Sequence, residues 1–231
     1  MIQGIIASQI VGAAGSPAPE GALVFLDFVS GVYFDGALAA AADVIDVPEK
    51  INPGTGLELL YAGETTQGSG VANIIGDALA ALLTFNWTVV IDYDEQWDTG
   101  NTKILTMVDG ATTPSELGNY IEIGRDNEGG DHALYADENS SIGGDTRGAH
   151  STGSRLSGRH KIAVTWTDAK IAISADGDTA VTDTTAGSAL TATVATLGGF
   201  KGDYLYNDTI IRSLTLYAAQ SDAALPALSA L

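Results

Sequence analysis

The sequence predicts an all-β fold, an antiparallel sandwich of two sheets, on three observations. About a dozen short runs rich in β-branched and aromatic residues recur along the chain, divided by turn-forming residues. Glycine occurs 28 times in 231 residues, which suits many tight turns better than long helices. The clearest run, residues 160–178 (HKIAVTWTDAKIAISADGD), alternates, turns and alternates again, as a hairpin with one buried face must.

Composition sets the bounds. Hydrophobic residues make up 45% of the chain and charged ones 17%, enough apolar surface for a core and too little polarity for general disorder. The length suits one large sandwich. A formal net charge of −19 repels phosphate backbones and anionic lipid, so neither nucleic acid nor a membrane surface is expected as a partner. Cysteine is absent, which excludes thiol catalysis, disulfides and cysteine-ligated zinc and permits folding in a reducing cytoplasm.

The elements follow in order. Residues 1–15 are apolar but carry no basic residue, and Gln3, Ser8 and Gln9 interrupt them; the run reads neither as a membrane span nor as a signal peptide. With Pro17 and Pro19 closing it, residues 1–21 are expected as a docking arm that contacts another subunit through Ile2, Ile5, Ile6, Ile10 and Val11. A strand of the chain's own core is the other reading of the same residues.

Residues 22–36 predict two strands around Ser30-Gly31. Residues 37–51 are ambiguous: the alanines favour a helix, whereas Val44, Ile45 and Val47 before Pro48 favour extended chain. Residues 74–84 carry a short helical pattern. Strands are then expected over 85–95, 103–109, 119–124 and 132–137, a long polar loop over 138–158, the hairpin of 160–178, and further strands near 180–183, 192–200 and 209–217. The last residues, 221–231, predict a short helix capped by Ser221, with Asp222 at its positive end.

Four segments, FNWTVVIDY (85–93), GRHKIAVTW (158–166), KIAISADGD (170–178), and IRSLTLY followed by SDAALPAL (211–228), carry a resemblance. They resemble the concanavalin A-like, laminin-G-like jelly rolls carried by bacteriophage virion structural proteins. The resemblance covers residues 85–231 best and 22–60 loosely, so 22–231 is read as one sandwich with a lead-in over 22–84. It implies a non-enzymatic virion component, assembled in the host cytoplasm and exposed on the particle as a capsid decoration, head fibre or tail-associated protein. It further implies a lectin-like face for host-surface carbohydrate; the arm, which has no part in the resemblance, is expected to contact other virion proteins, and its first 15 residues are apolar enough that copies are expected to associate as homo-oligomers. A secreted or surface lectin is the alternative, and a glycoside hydrolase a third reading.

Candidate sites are few. Asp92 and Asp94 share a strand face and invite comparison with retaining glycosidases, which need two carboxyls about 5–5.5 Å apart. The position two further on is Gln96, and a strand running out into a solvated turn accounts for both acids. Asp126, Asn127, Glu128 and Asp131 form the densest cluster of oxygen donors on a flexible stretch, the donor set calcium prefers. Asp137, Glu138 and Asn139, with Asp145, rank second. Trp97, Tyr204 and Tyr206 sit beside acids and amides, the apolar face with polar anchors that a sugar contact requires. His132, His150 and His160 have no ligand spacing and no nucleophile partner, and no role is assigned to them.

Overall fold

A computed structural model describes residues 18–59, 71–84, 86–96, 102–108, 119–125, 133–140, 145–151, 157–187, 192–198 and 209–231. In chain order the elements are β1 (Val24–Asp27), β2 (Val32–Phe34), β3 (Leu38–Ala40), β4 (Ile51–Asn52), β5 (Gly56–Leu59), β6 (Val71–Ile74) and helix α1 (Gly76–Leu82). Then come β7 (Trp87–Glu95), β8 (Thr102–Val108), β9 (Asn119–Arg125), β10 (Leu134–Ser140), β11 (Asp145–His150), β12 (Gly158–Thr167) and β13 (Lys170–Ala175). The chain closes with β14 (Val181–Asp183), β15 (Val194–Gly198), β16 (Thr209–Ala218) and helix α2 (Leu225–Ser229).

The strands form two antiparallel sheets, the jelly-roll-like sandwich that the alternation predicts. Among the described residues the larger runs β14-β13-β12-β7-β16-β1-β2-β3, with β5 also pairing β16 and β4 pairing β5. The smaller runs β11-β10-β9-β8-β15-β6. Because successive side chains point to opposite faces, each strand sends alternate residues inward: Trp87, Val89, Ile91 and Tyr93 from β7, Ile162, Val164 and Trp166 from β12, and Ile121 and Ile123 from β9. Trp87 and Trp166 meet edge to face, ring centroids 5.7 Å apart, and the Trp87 indole donates to the Leu82 carbonyl at 2.9 Å. The helix expected near residues 74–84 is therefore anchored by the first strand after it.

The 160–178 hairpin forms in the expected register, Ile162 opposite Ala175 and Trp166 opposite Ile171. Its closing acids are structural. Asp176 and Gly177 both take positive φ, +51° and +84°, in a turn where the Asp178 N–H donates to the Ala175 carbonyl at 2.9 Å. Gly177 does this without strain, whereas Asp176 is an L-residue in left-handed backbone. The Asp176 carboxylate compensates by accepting the Lys161 N–H at 2.9 Å and contacting His160 Nδ1 at 2.9 Å.

Helix α2 lies on the outer face of the larger sheet, over Val90, Ala163, Ala172 and Tyr217. The small alanines admit Leu225, and the Ser229 hydroxyl meets Ser174 at 2.8 Å and accepts the Gly177 N–H at 3.1 Å. Ser221 makes no side-chain cap, contrary to expectation. Asp222 instead turns back to the sheet, accepting from Lys170 and, at 2.9 Å, from the Thr182 hydroxyl. The ambiguous 37–51 segment resolves into β3, 3-10 turns over Ala41–Val44 and Pro48–Lys50, and the start of β4.

One expectation fails in the second half. The predicted loop over 138–158 contains the end of β10 and the whole of β11, paired residue for residue from Tyr135–His150 to Ser140–Asp145. The strand was hidden because, among its described side chains, Ala149 is the one apolar residue that joins the core, and Arg147, on the same face, is matched by Glu138 across the pair. Among the described residues no helix is long and apolar enough to cross a membrane.

Candidate functional site

The acids that sequence reading set against a glycosidase lie on the outer face of the larger sheet and belong to an ionic ladder. Arg159 donates to both Asp92 oxygens, at 2.9 and 2.6 Å, and these bonds hold its guanidinium more firmly protonated. Arg212 donates to Asp94 at 3.1 Å and approaches Asp92 at 4.0 Å. Arg212 reaches both because the β16–β7 register shifts between Ile211 and Ser213, where a bulge re-aims the side chain. Two carboxylates on one strand face thus meet two guanidiniums from flanking strands, an arrangement that neutralises charge.

A second constellation lies where β10 and β11, at one edge of the smaller sheet, meet β14 at the edge of the larger one. It lines a cleft of about 260 Å³. Tyr120 of β9, Asp137 of β10, and Gly148 and His150 of β11 present the outer face of the smaller sheet to it, and Asp183 of β14 closes it from the other sheet. Arg147 and Glu138 complete the lining.

The two sheets are joined here by buried polar chemistry. Arg147 Nε donates to Glu138 at 2.6 Å, both side chains being 1% exposed. Its Nη1 donates to the Thr185 carbonyl at 3.1 Å and to the Asp168 carbonyl at 3.4 Å, and the guanidinium lies 5.8 Å from the Trp166 ring centroid. From the opposite side Asp183 accepts the Gly148 N–H at 3.0 Å and the Thr185 N–H at 2.8 Å. Thr185, by hydroxyl and backbone, and then Gly148 hold the Asp183 carboxyl below its ordinary value, outweighing the effect of burial.

Gly148 leaves room for Asp137 to lie where it does, because a Cβ there would sit 1.9 Å from Asp137 Oδ1 and would push that side chain aside. Without a side chain at 148, the Asp137 carboxylate lies across β11 on the residue whose N–H holds Asp183, so carboxylates from two sheets converge on one glycine. His150 Nε2 stands 3.5 Å from Asp137, and its ring is tilted against Tyr135 at 5.9 Å. Tyr135 in turn donates to Glu122, which also holds Lys103 at 2.6 Å.

The residues singled out as carbohydrate contacts (Trp97, Tyr204, Tyr206), calcium ligands (Asp126, Asn127, Glu128, Asp131) and docking arm (Ile2, Ile5, Ile6, Ile10, Val11) lie outside the described residues. The strand ends that lead into the first two groups are close neighbours. Glu95, which precedes Trp97, pairs in register with Thr209, which follows Tyr206, and contacts Arg125, which precedes Asp126, at 3.4 Å. Of the second-ranked calcium group, Glu138 points inward to Arg147, while Asp137 belongs to the cleft. His160 is a buried partner of Asp176 and packs against Tyr93. His150, to which sequence assigned no role, lines the cleft, as do Tyr120 and Asp183. Tyr-x-Glu in β9, Tyr-x-Asp in β10 and Gly-x-His in β11 are the period-2 signals that place these side chains on one face, once β11 is known to be a strand.

The sequence matches no protein-family model and no curated protein. Solved structures share the fold. Domain 4 of AbnA, a GH43 extracellular arabinanase from Geobacillus stearothermophilus in complex with arabinotriose, aligns with a TM-score of 0.56 at 14% identity, over 90% of this chain and 98% of that one. The CBM40 of Ruminococcus gnavus IT-sialidase bound to α2,3-sialyllactose aligns at 0.52 and 15% identity, over 77% and 94%. A Trypanosoma rangeli sialidase in complex with sialic acid aligns at 0.54 and 14% identity, over 92% of this chain and 33% of that one. A leech intramolecular trans-sialidase is covered over 26% of its length, so the chain spans about a quarter to a third of these whole sialidases. At such identities the likeness is one of fold: a β-sandwich shared with carbohydrate-binding modules and with domains of glycoside hydrolases.

Proposed function

We propose that this chain is a non-enzymatic carbohydrate-binding sandwich, displayed on a bacteriophage particle as a virion accessory protein and directed at host-surface glycan. The observation that carries the glycan reading is the cleft between β10, β11 and β14. There the rings of Tyr120 and His150 stand beside the carboxylates of Asp137 and Asp183. An aromatic face for the C–H side of a sugar and fixed acceptors for its hydroxyls are what carbohydrate recognition requires. Fold neighbours that bind arabinotriose and sialyllactose support it. The non-enzymatic part rests on the outer-face ladder, where Arg159 and Arg212 occupy Asp92 and Asp94.

The virion reading rests on the resemblance of residues 85–93, 158–178 and 211–228 to phage jelly rolls, with residues 1–21 as the arm that docks the sandwich and joins its copies. Host-derived glycan arrays probed with the full chain test the binding part: a defined set of glycans is retained, and Tyr120→Ala or His150→Ala removes it without lowering the unfolding midpoint. Retention undiminished by both variants would overturn the cleft as the site. Deleting residues 1–21 is expected to leave the sandwich folded and to abolish its attachment to particles, read by co-sedimentation; normal attachment would refute the docking arm.

A further inference from the structure

We infer that residues 1–15 of a neighbouring copy dock on the outer face of the larger sheet, over β1, β2 and β3, so that copies exchange arms. The inference rests on the docking-arm reading and adds the surface that receives the arm.

An apolar row crosses that face. Leu38 of β3 stands opposite Phe34 of β2, Phe34 opposite Phe25 of β1, Phe25 opposite Thr215 of β16, and Thr215 opposite Val90 of β7. Residues in register share a face, and Val90 lies beneath α2, so the whole row points away from the core. Leu23, two residues before Phe25, takes the same face, while Val24, Leu26 and Tyr33 turn inward. The two halves of the face are finished differently. Over β7, β12 and β13, helix α2 covers the small side chains with Leu225. Over β1 to β3, Leu23 stays 54% exposed and Leu38 48%. Large aliphatic side chains left in water on one face mark a contact surface. Strand β3 also ends the larger sheet among the described residues, and all three of its residues are exposed. An apolar edge of this kind invites another chain.

The occupant follows from chain and charge. Residues 1–17 precede the described residues, and Ala18 lies five residues from Leu23. The arm is thus rooted at the patch: the Ala22 N–H donates to the Pro19 carbonyl at 3.1 Å, the Leu23 N–H donates to the Leu216 carbonyl at 2.8 Å, and Ala22 packs against the cluster under α2. From Met1 to Pro19 the sequence holds no Asp, Glu, Lys or Arg, in a chain whose formal net charge is −19. Whole copies repel one another. An uncharged, isoleucine-rich segment reaches a second copy without adding to that repulsion, and seating it on Leu23, Phe25, Phe34 and Leu38 takes apolar surface out of water. The connector chooses between the chain's own patch and a neighbour's. Pro17 and Pro19 fix φ and bias the residue before each toward extended chain. So short and stiff a connector resists folding back and favours exchange between copies. Each copy then gives one arm and receives one, which closes a two-fold pair.

The test uses the full chain. Sedimentation velocity is expected to show self-association, and Leu23→Ser with Leu38→Ser is expected to raise its dissociation constant by about tenfold or more, with the far-ultraviolet circular dichroism unchanged. Ile5→Ser with Ile10→Ser should do the same from the arm's side. Because the chain has no cysteine, Ile6→Cys in one preparation and Leu38→Cys in another report the contact directly: their equilibrated mixture should give cross-linked pairs of chains on oxidation. A cross-link that forms within single chains carrying both cysteines, and not in the mixture, would put the arm on its own sheet and overturn the inference. If the arm variant dissociates the copies and the patch variant does not, the arm joins copies elsewhere and the inference alone falls. If the arm variant leaves association unchanged, or the full chain stays single at every concentration, the reading of the arm as the joint between copies falls as well.

Discussion

Two arginine–carboxylate pairs, Arg147–Glu138 and Arg159–Asp92, have the same closest approach, 2.6 Å, and opposite surroundings. The first is shut between the sheets, 1% exposed on both sides; the second stands on the outer face, where the Asp92 side chain is 12% exposed but its partner Arg159 is 51% exposed to water. Equal distances therefore do not mean equal energies. In water a pair gains little beyond what hydration already supplied, whereas a buried charge left alone has nothing to replace its lost water. The same contrast separates a ladder that neutralises the outer face from a wall that frames a cleft. Arg147 spends its donors on holding two sheet edges together, and the carboxylates of Asp137 and Asp183 then define the opening.

The largest expected effect comes from Arg147→Met, which strands Glu138 in the core and should cost about 3–5 kcal/mol of stability. Denaturant unfolding reads it, and adding Glu138→Leu should restore most of the loss, since apolar replacement of a whole buried pair is often neutral. A loss below about 1 kcal/mol for Arg147→Met alone would break the contrast between the two pairs. On the outer face, Asp92→Asn leaves Arg159 and Arg212 solvated and should cost about 1 kcal/mol or less by the same measurement. A larger loss would make the ladder a structural clamp.

The smallest effect concerns Lys170–Asp222, a half-buried pair at the sheet surface worth about a few tenths of a kcal/mol to the docking of α2. Burial alone would raise the Asp222 carboxyl, but the bonds from Lys170 and Thr182 and the charge of Lys170 outweigh it and hold the group below its ordinary 3.8. A depressed folded value means that the stabilisation is fully present above 3.8 and is lost as the pH falls through the lower, folded value. NMR shifts of Leu225 and Ser229 should therefore move in strongly acid solution, and Lys170→Met should bring that movement to higher pH. Shifts of α2 that follow acid identically in the variant would remove Lys170 from the account.

The parts of the fold that were legible are those whose reason is local. Ile162, Val164 and Trp166, then Ile171, Ile173 and Ala175, announce two inward rows because a pleated strand has a period of two and one face is buried. Asp-Gly announces the turn, since positive φ costs glycine nothing. Strand β11 was illegible because an arginine occupies an inward position, and only its pairing with Glu138 makes that position compatible with a core.

What the sequence determined by itself is therefore the sandwich, most of its strands, the closing helix, and an acidic surface hostile to anions. What only the tertiary structure decided is which acids meet arginines and which frame an opening. Asp92 and Asp137 are each an aspartate of a β-strand. One faces Arg159 because β12 pairs with β7; the other lies across Gly148 because β10 pairs with β11. Tyr120, Asp137, His150 and Asp183 come from four strands of two sheets and meet only where those sheets close on each other. Alternation along one strand tells which face a side chain takes; which strand lies beside it is set by packing the whole core, and that is where the cleft comes from.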